Sequence, residues 1–181
     1  MMTQNATGHG LVDLDARVVR ATVGLVSQAG PADLARPTPC AGWTLGDLIG
    51  HMTAQHYGWT AAAAARRVLE AFGADGVLDR EFALAEISPV LRFPAAQAIG
   101  FHFIDYVVHG WDVARSLGLA YQPEADVLAA ALPVAQAVPG GQARTREGAP
   151  FAPDLPVSAQ AGLLDRIVAM LGRSPTWPEL A

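Results

Sequence analysis

The stretch from Pro94 to Gly118, PAAQAIGFHFIDYVVHGWDVARSLG, decides the fold class of this chain. A proline can start a helix and a glycine commonly ends one. Between these two residues the apolar side chains recur at helical spacing. The stretch therefore predicts one long helix from about Ala95 to Leu117, the third in chain order, and it is the longest and most apolar helix that the sequence predicts.

Further helices are predicted before and after this one. Thr44 and Asp47 form a capping-box-like pattern at the start of the second helix. The predicted helices run from Leu11 to near Gly30, from Leu45 to about Trp59, from Pro123 to Val138, and from Leu163 to Leu171. The alanine-rich region over 61–72 continues the second of these helices or begins another one. Residues 73–94 are expected to form a long connection with a short extended piece. No clean alternating strand pattern is present, so the fold class is all-α.

The chain has 181 residues, of which 51% are hydrophobic and 16% charged. These values predict one globular domain, over residues 11–181, after a flexible N-terminal tail over residues 1–10. The first ten residues lack the pattern of a signal peptide, and no apolar run has the length of a membrane span. We therefore expect a cytoplasmic protein without a membrane partner.

The twelve basic residues are all arginine, and the net charge is −5. A chain without lysine cannot form a Schiff base or a standard P-loop. The scattered arginines form no basic stripe, which argues against nucleic-acid binding. Arg92, Arg115, Arg144 and Arg146 are candidates for holding a substrate carboxylate, although arginine is usually solvated surface.

Four ionisable residues lie in one narrow stripe of the third helix: His102, Asp105, His109 and Asp112. Charged groups are rarely buried unless they are paired or bind a metal. Asp105 and His109 are four residues apart, so they can direct two ligands to one ion. Hydrogen bonding within the stripe and to neighbouring backbone explains the same pattern, and both interpretations stay open.

His51, at the centre of the second helix, is the candidate third ligand. Two imidazoles and one carboxylate leave a coordination position open for water or substrate. Zn²⁺ suits this ligand set best, and Ni²⁺, Co²⁺ and Fe²⁺ are chemically reasonable. Gln55, with His102 and Asp112 on the third helix, is a candidate second layer that orients the ligands.

Cys40 is the only cysteine, so no intramolecular disulfide can form. It precedes a predicted helix N-terminus, where a thiolate would be stabilised. A buried structural role is the commoner one for a free cysteine. No catalytic residue is identified from the sequence.

Three segments resemble a known family: TPCAGWTLGDLIGH at 38–51, DYVVHGWDVA at 105–114 and LDRIVAMLGRSP at 164–175. They are similar to actinobacterial metal-binding proteins related to the N-terminal domain of mycothiol-dependent maleylpyruvate isomerase. The resemblance implies a DinB-like four-helix bundle with a short additional C-terminal helix. It also implies that His51, Asp105 and His109 hold the metal.

The resemblance further implies thiol chemistry, with mycothiol as a cosubstrate that the metal activates as thiolate. The isomerase has Glu where this chain has Asp105, and it carries a separate C-terminal domain. We therefore expect a mycothiol-type S-transferase acting on an electrophilic small molecule rather than an isomerase. A metal-dependent hydrolase or biosynthetic enzyme without thiol, and a non-catalytic bundle that binds a small ligand or partner, are the alternatives. A homodimer stays open.

Overall fold

The computed structural model describes residues 2–54, 61–84, 87, 90–146 and 149–178. Within these ranges the chain forms six α-helices and one two-stranded sheet. The helices are α1 (Met2–Val26), α2 (Leu45–Ala54), α3 (Ala61–Phe72), α4 (Ala95–Leu117), α5 (Ala125–Ala137) and α6 (Leu163–Met170). The strands are β1 (Glu81–Ala83) and β2 (Arg92–Pro94). The predicted all-α, DinB-like bundle is confirmed, with α6 as the short C-terminal helix.

Helix α4 begins and ends where the sequence predicted. Pro94 occupies the N-cap, and Gly118 at the other end has a φ of 71°, in the left-handed region. The backbone N–H of Leu119 donates to the carbonyl of Ala114 (2.8 Å), and that of Gly118 donates to Arg115 (3.2 Å). These two bonds form a Schellman motif, which satisfies carbonyls that the helix end leaves without partners.

Helix α4 is the central element of the bundle. It packs along α1 and also contacts α2 and α5, while α6 packs on α5. Large side chains of α4 are fully buried, including Phe103, Val107 and Trp111. Because α4 contacts several other elements, polar residues in its second half, such as His109 and Asp112, lie inside the protein.

The first helix begins at Met2, well before the expected start near Leu11, and it includes residues that were expected to form a tail. No proline interrupts this segment, and Gly8 is buried where a Cβ atom would lie 2.7 Å from the Leu78 side chain. This contact with the 73–94 connection is not visible in the local sequence.

The connection itself contains the two short strands, paired antiparallel with Phe82 opposite Phe93. Strands of three residues are too short to show an alternating pattern, which explains why the sequence indicated only an extended piece. The hairpin delivers the chain directly to the start of α4. In the part of the chain that the structure describes, no helix has the length and apolar character needed to cross a membrane.

Candidate metal centre

The three predicted ligands come together between α2 and α4. One ligand atom from each of His51, Asp105 and His109 lies within 4.8 Å of the others. His109 Nε2 is 3.2 Å from Asp105 Oδ1, and the His51 and His109 rings meet edge to face with centroids 5.5 Å apart. Ligands around a tetrahedral zinc ion lie about 3.4 Å apart, given zinc–ligand distances of about 2.0–2.1 Å. The donor atoms therefore lie within about 1.4 Å of this spacing.

The start of α2 determines where His51 lies. The backbone N–H of Thr44 donates to Asp47 Oδ2 (2.9 Å), and that of Asp47 donates to Thr44 Oγ1 (3.2 Å). These reciprocal bonds confirm the predicted capping pattern. Leu45 N–H also donates to the carbonyl of Arg36, so the helix start is tied to the preceding loop. His51 follows on the second turn, and the Trp43 ring meets it at a centroid distance of 5.0 Å.

The carboxylate of Asp105 has the capacity to bind a cation. Its Oδ1 faces His109, and its buried Oδ2 accepts no hydrogen bond from the described residues. Burial alone would raise the pKa of Asp105, but His109, with smaller effects of His51 and His102, lowers it to about 2. The donor set of two imidazoles and one ionised carboxylate therefore fits a divalent ion such as Zn²⁺.

The second nitrogen of His109 is held by a buried carboxylate. Nδ1 of His109 donates to Asp112 Oδ2 at 2.9 Å, and Asp112 is completely buried. Burial alone would lower the pKa of His109, but Asp105 and Asp112 raise it well above its ordinary value. Histidine ligands of metals commonly donate their other N–H to a carboxylate, and Asp112 is the carboxylate that would do so if His109 bound a metal.

Arg173, from the segment after α6, neutralises Asp112. Its Nη2 donates to Asp112 Oδ2 (3.1 Å) and its Nε to Oδ1 (3.4 Å), and the side chain is buried. Burial would raise the pKa of Asp112, but the charge of Arg173 and the hydrogen bond from His109 keep it below its usual value. Arg173 Nη1 donates to the carbonyl of Leu171 at 2.7 Å, which fixes the guanidinium.

Cys40 lies on the Asp112 side of His109. Its Sγ is 3.1 Å from Asp112 Oδ2 and accepts a bond from Arg173 Nη2, also at 3.1 Å. Its backbone N–H donates to Thr38 Oγ1. Cys40, His109 and Asp112 form a second group whose ligand atoms lie within 4.8 Å of one another. Cys40 is half-buried, and its thiol is hydrogen-bonded to the buried Asp112–Arg173 pair.

His102 has a different environment from the predicted ligands. Its Nδ1 is 2.7 Å from Oδ1 of Asp15, a fully buried residue of α1, and its ring stacks on Tyr106. His102 contributes to the lowered pKa of Asp105. Its hydrogen bond to Asp15 connects α4 with α1. Gln55, the other candidate for orienting a ligand, lies outside the described residues.

Arg173 is not among the arginines that the sequence suggested as functional residues. Of the arginines that were candidates for holding a carboxylate, Arg144 is buried and donates to backbone carbonyls, including that of Pro139. Arg115 lies over the Trp111 ring and donates to the Pro175 carbonyl. The available signal for Arg173 was the buried, acidic position of Asp112 on an apolar helix, since such a carboxylate needs a cationic partner.

The fold and these contacts define a helical-bundle protein with a buried His–Asp–His cluster supported by a carboxylate–arginine pair. Residues 16–98 match the family model described as the mycothiol maleylpyruvate isomerase N-terminal domain. This match confirms the predicted resemblance to that domain, which is related to mycothiol-associated enzymes. The matched range contains His51, while Asp105 and His109 follow it.

Two relatives come from Mycobacterium tuberculosis: Uncharacterized protein Rv0738 of strain H37Rv and Uncharacterized protein MT0763 of strain CDC 1551. Each is 29% identical to this chain over 177 residues, which cover 87% of this chain and 94% of the relative. No solved structure matches the chain.

Proposed function

We propose that this protein is a metal-dependent enzyme that activates a low-molecular-weight thiol of the mycothiol type and transfers it to an electrophilic small molecule. The observation that carries the proposal is the convergence of His51, Asp105 and His109, from two helices, within 4.8 Å. The mycothiol-associated domain family supports the thiol. Zn²⁺ is the ion that this donor set suits best, ahead of Ni²⁺, Co²⁺ and Fe²⁺.

The protein ligands would leave one coordination position open. His51 is half-buried and the Asp105 side chain is 19% exposed, so part of the cluster is accessible to solvent. A divalent ion at this position would supply positive charge that lowers the pKa of an adjacent thiol. The chain's own residues would hold the ion and orient the imidazole of His109.

The charges around the cluster favour an anionic substrate group. Asp105 contributes one negative charge, while Asp112 and Arg173 compensate each other at 3.1 Å. A divalent cation held by Asp105 and two neutral imidazoles therefore keeps one uncompensated positive charge. A thiolate matches this charge, and burial strengthens the attraction because the local dielectric is low.

The metal assignment is tested by elemental analysis of protein purified without chelator. We expect stoichiometric metal in the wild type and a loss of metal in His51→Ala and His109→Ala. His102→Gln is the matched control, because it replaces a histidine of α4 whose Nδ1 bonds Asp15. Full metal content in both alanine variants would show that the assigned ligands are wrong.

The thiol is tested by turnover of a chloronitrobenzene electrophile with and without mycothiol. We expect a rate that depends on both mycothiol and the metal, and that falls in His51→Ala. Metal-loaded protein whose turnover of ester or amide substrates ignores thiol would instead support a metal-dependent hydrolase or biosynthetic enzyme. Metal-free protein whose stability is unchanged by added Zn²⁺ or Ni²⁺ would support a non-catalytic, ligand-binding bundle.

A further inference from the structure

Two groups of candidate ligands share the imidazole of His109. Its Nε2 faces Asp105, which together with His51 forms the proposed metal centre. Its Nδ1 faces Asp112, which together with Cys40 forms the second group. Because the two nitrogens lie on different edges of one ring, a cation bound on one side uses a different lone pair from a cation bound on the other.

By donor type alone, the second group would compete for the same ions. A cysteine thiolate is a softer and stronger ligand for zinc than a carboxylate oxygen, and structural zinc sites combine cysteine with histidine. Cys40 Sγ and Asp112 Oδ2 are only 3.1 Å apart, so no large movement is needed to bring these donors together. Some other feature must decide which side of His109 receives the ion.

Arg173 is that feature. Its Nη2 lies 3.1 Å from both Cys40 Sγ and Asp112 Oδ2, so the guanidinium occupies the donor atoms of the second group. Arginine stays protonated at all relevant pH values. Arg173 and Asp112 are both buried, so solvent does little to screen this charge from a cation beside it. A metal cation bound by Cys40 and Asp112 would have to displace the guanidinium from these two atoms, and it would still lie beside the positive charge of Arg173.

On the opposite side of the His109 ring, a carboxylate oxygen is available to bind a cation. Asp105 Oδ2 is buried and accepts no hydrogen bond from the described residues. Because Nδ1 of His109 is already bonded to Asp112, Nε2, which faces Asp105, is the nitrogen that would bind a cation in exchange for its proton.

We infer that Arg173 is a positioning residue that, through Asp112, directs a divalent cation to His51, Asp105 and His109 and excludes it from Cys40. This inference rests on the proposed metal centre. It assigns to the C-terminal segment a role in selecting the ligand set.

The test uses Co²⁺ as the probe, because thiolate ligation produces an intense near-ultraviolet charge-transfer absorption that nitrogen and oxygen ligands do not. Wild-type protein should bind Co²⁺ without this absorption, and Cys40→Ser should leave the spectrum and the affinity unchanged. Arg173→Met should gain the absorption, and the added Cys40→Ser change should remove it. In Arg173→Met, His51→Ala should no longer abolish Co²⁺ binding.

Two further variants separate positioning from simple structural support. Arg173→Lys keeps a positive charge near Cys40 and should retain the wild-type spectrum. Asp112→Asn weakens the acceptor for His109 Nδ1 and should lower the Co²⁺ affinity by about 10–100-fold, the range for a lost partner of a histidine ligand. Circular dichroism and urea unfolding establish that each variant is folded before its spectrum is compared.

The outcomes are distinct. A folded Arg173→Met protein with the wild-type spectrum would overturn the inference and leave the metal centre standing. A wild-type spectrum that changes in Cys40→Ser would overturn it as well, even if Arg173→Met fails to fold. Wild-type protein that binds no Co²⁺ would refute the metal centre itself, and the inference would fall with it.

Discussion

Replacing Gly172 by alanine should destabilise the protein strongly, because this residue ends α6 and places Arg173 in the core. Gly172 has a φ of 78°. Its N–H donates to the carbonyl of Ala169 (3.0 Å), and the N–H of Arg173 donates to Val168 (2.9 Å), as in a Schellman motif. A Cβ atom at this position would lie 2.6 Å from the Ala152 Cβ and 2.8 Å from its carbonyl oxygen.

Two costs add at Gly172. A non-glycine residue in the left-handed region costs about 1–2 kcal/mol. Forcing a methyl group against the backbone of Ala152 costs about a further 1–3 kcal/mol, because contacts below 3.0 Å to backbone atoms require one of the two segments to shift. We therefore expect Gly172→Ala to lose about 2–5 kcal/mol, a large share of the roughly 5–15 kcal/mol that stabilises a typical domain.

Gly118 provides a matched control. It ends α4 with the same pair of hydrogen bonds and a φ of 71°, but a Cβ atom there would contact nothing within 4 Å. Gly118→Ala should therefore lose only the conformational cost of about 1–2 kcal/mol. Urea unfolding of both variants, analysed by linear extrapolation, measures the difference. Equal losses would refute the argument that Ala152 crowds Gly172.

Three further predictions concern the stability of the bundle. Thr44→Ala removes the N-cap of α2 and should lower the free energy of unfolding by about 1 kcal/mol in urea unfolding, whereas an unchanged midpoint would contradict the Asp47–Thr44 capping pattern. Phe103→Ala empties a fully buried position on α4 and should cost about 3–5 kcal/mol in the same assay; a loss below 1 kcal/mol would be incompatible with that burial. The hydrogen bond from Arg17 lowers the pKa of Asp126 to about 2, so this pair contributes stability above the ordinary carboxyl pKa, and the contribution disappears as the pH falls through 2. Carboxyl NMR titration should find this pKa in the wild type and an ordinary one in Arg17→Ala; the same value in both proteins would contradict it.

The features that could be predicted from the sequence are those with local causes. Pro94 and Gly118 bound α4 because a proline start and a glycine end act on neighbouring residues. Thr44 and Asp47 are three residues apart, so their capping bonds follow from spacing alone. Asp105 and His109 approach each other because residues four apart share a helix face.

The features that could not be predicted depend on contacts between distant segments. The sequence separation between Arg173 and Asp112 is 61 residues, and that between Asp15 and His102 is 87. Helical periodicity indicates which face of a helix is buried but not which side chain of another element meets it. The early start of α1 has the same origin, since Gly8 packs on Leu78 from a different part of the chain.

The Arg173–Asp112 pair connects the stability of the bundle with its choice of ligands. Removing one partner of a buried ion pair typically costs about 3–5 kcal/mol, because the other charge stays buried without compensation. The ionised carboxylate of Asp112 accepts the bond from His109 Nδ1 together with those from Arg173. The guanidinium of Arg173 is therefore held in place whether or not a metal is bound. The C-terminal segment therefore completes the core before any ion arrives. On the side of His109 where Cys40 lies, the positive charge of Arg173 already contacts the thiol. On the side that faces Asp105, no arginine among the described residues takes this place.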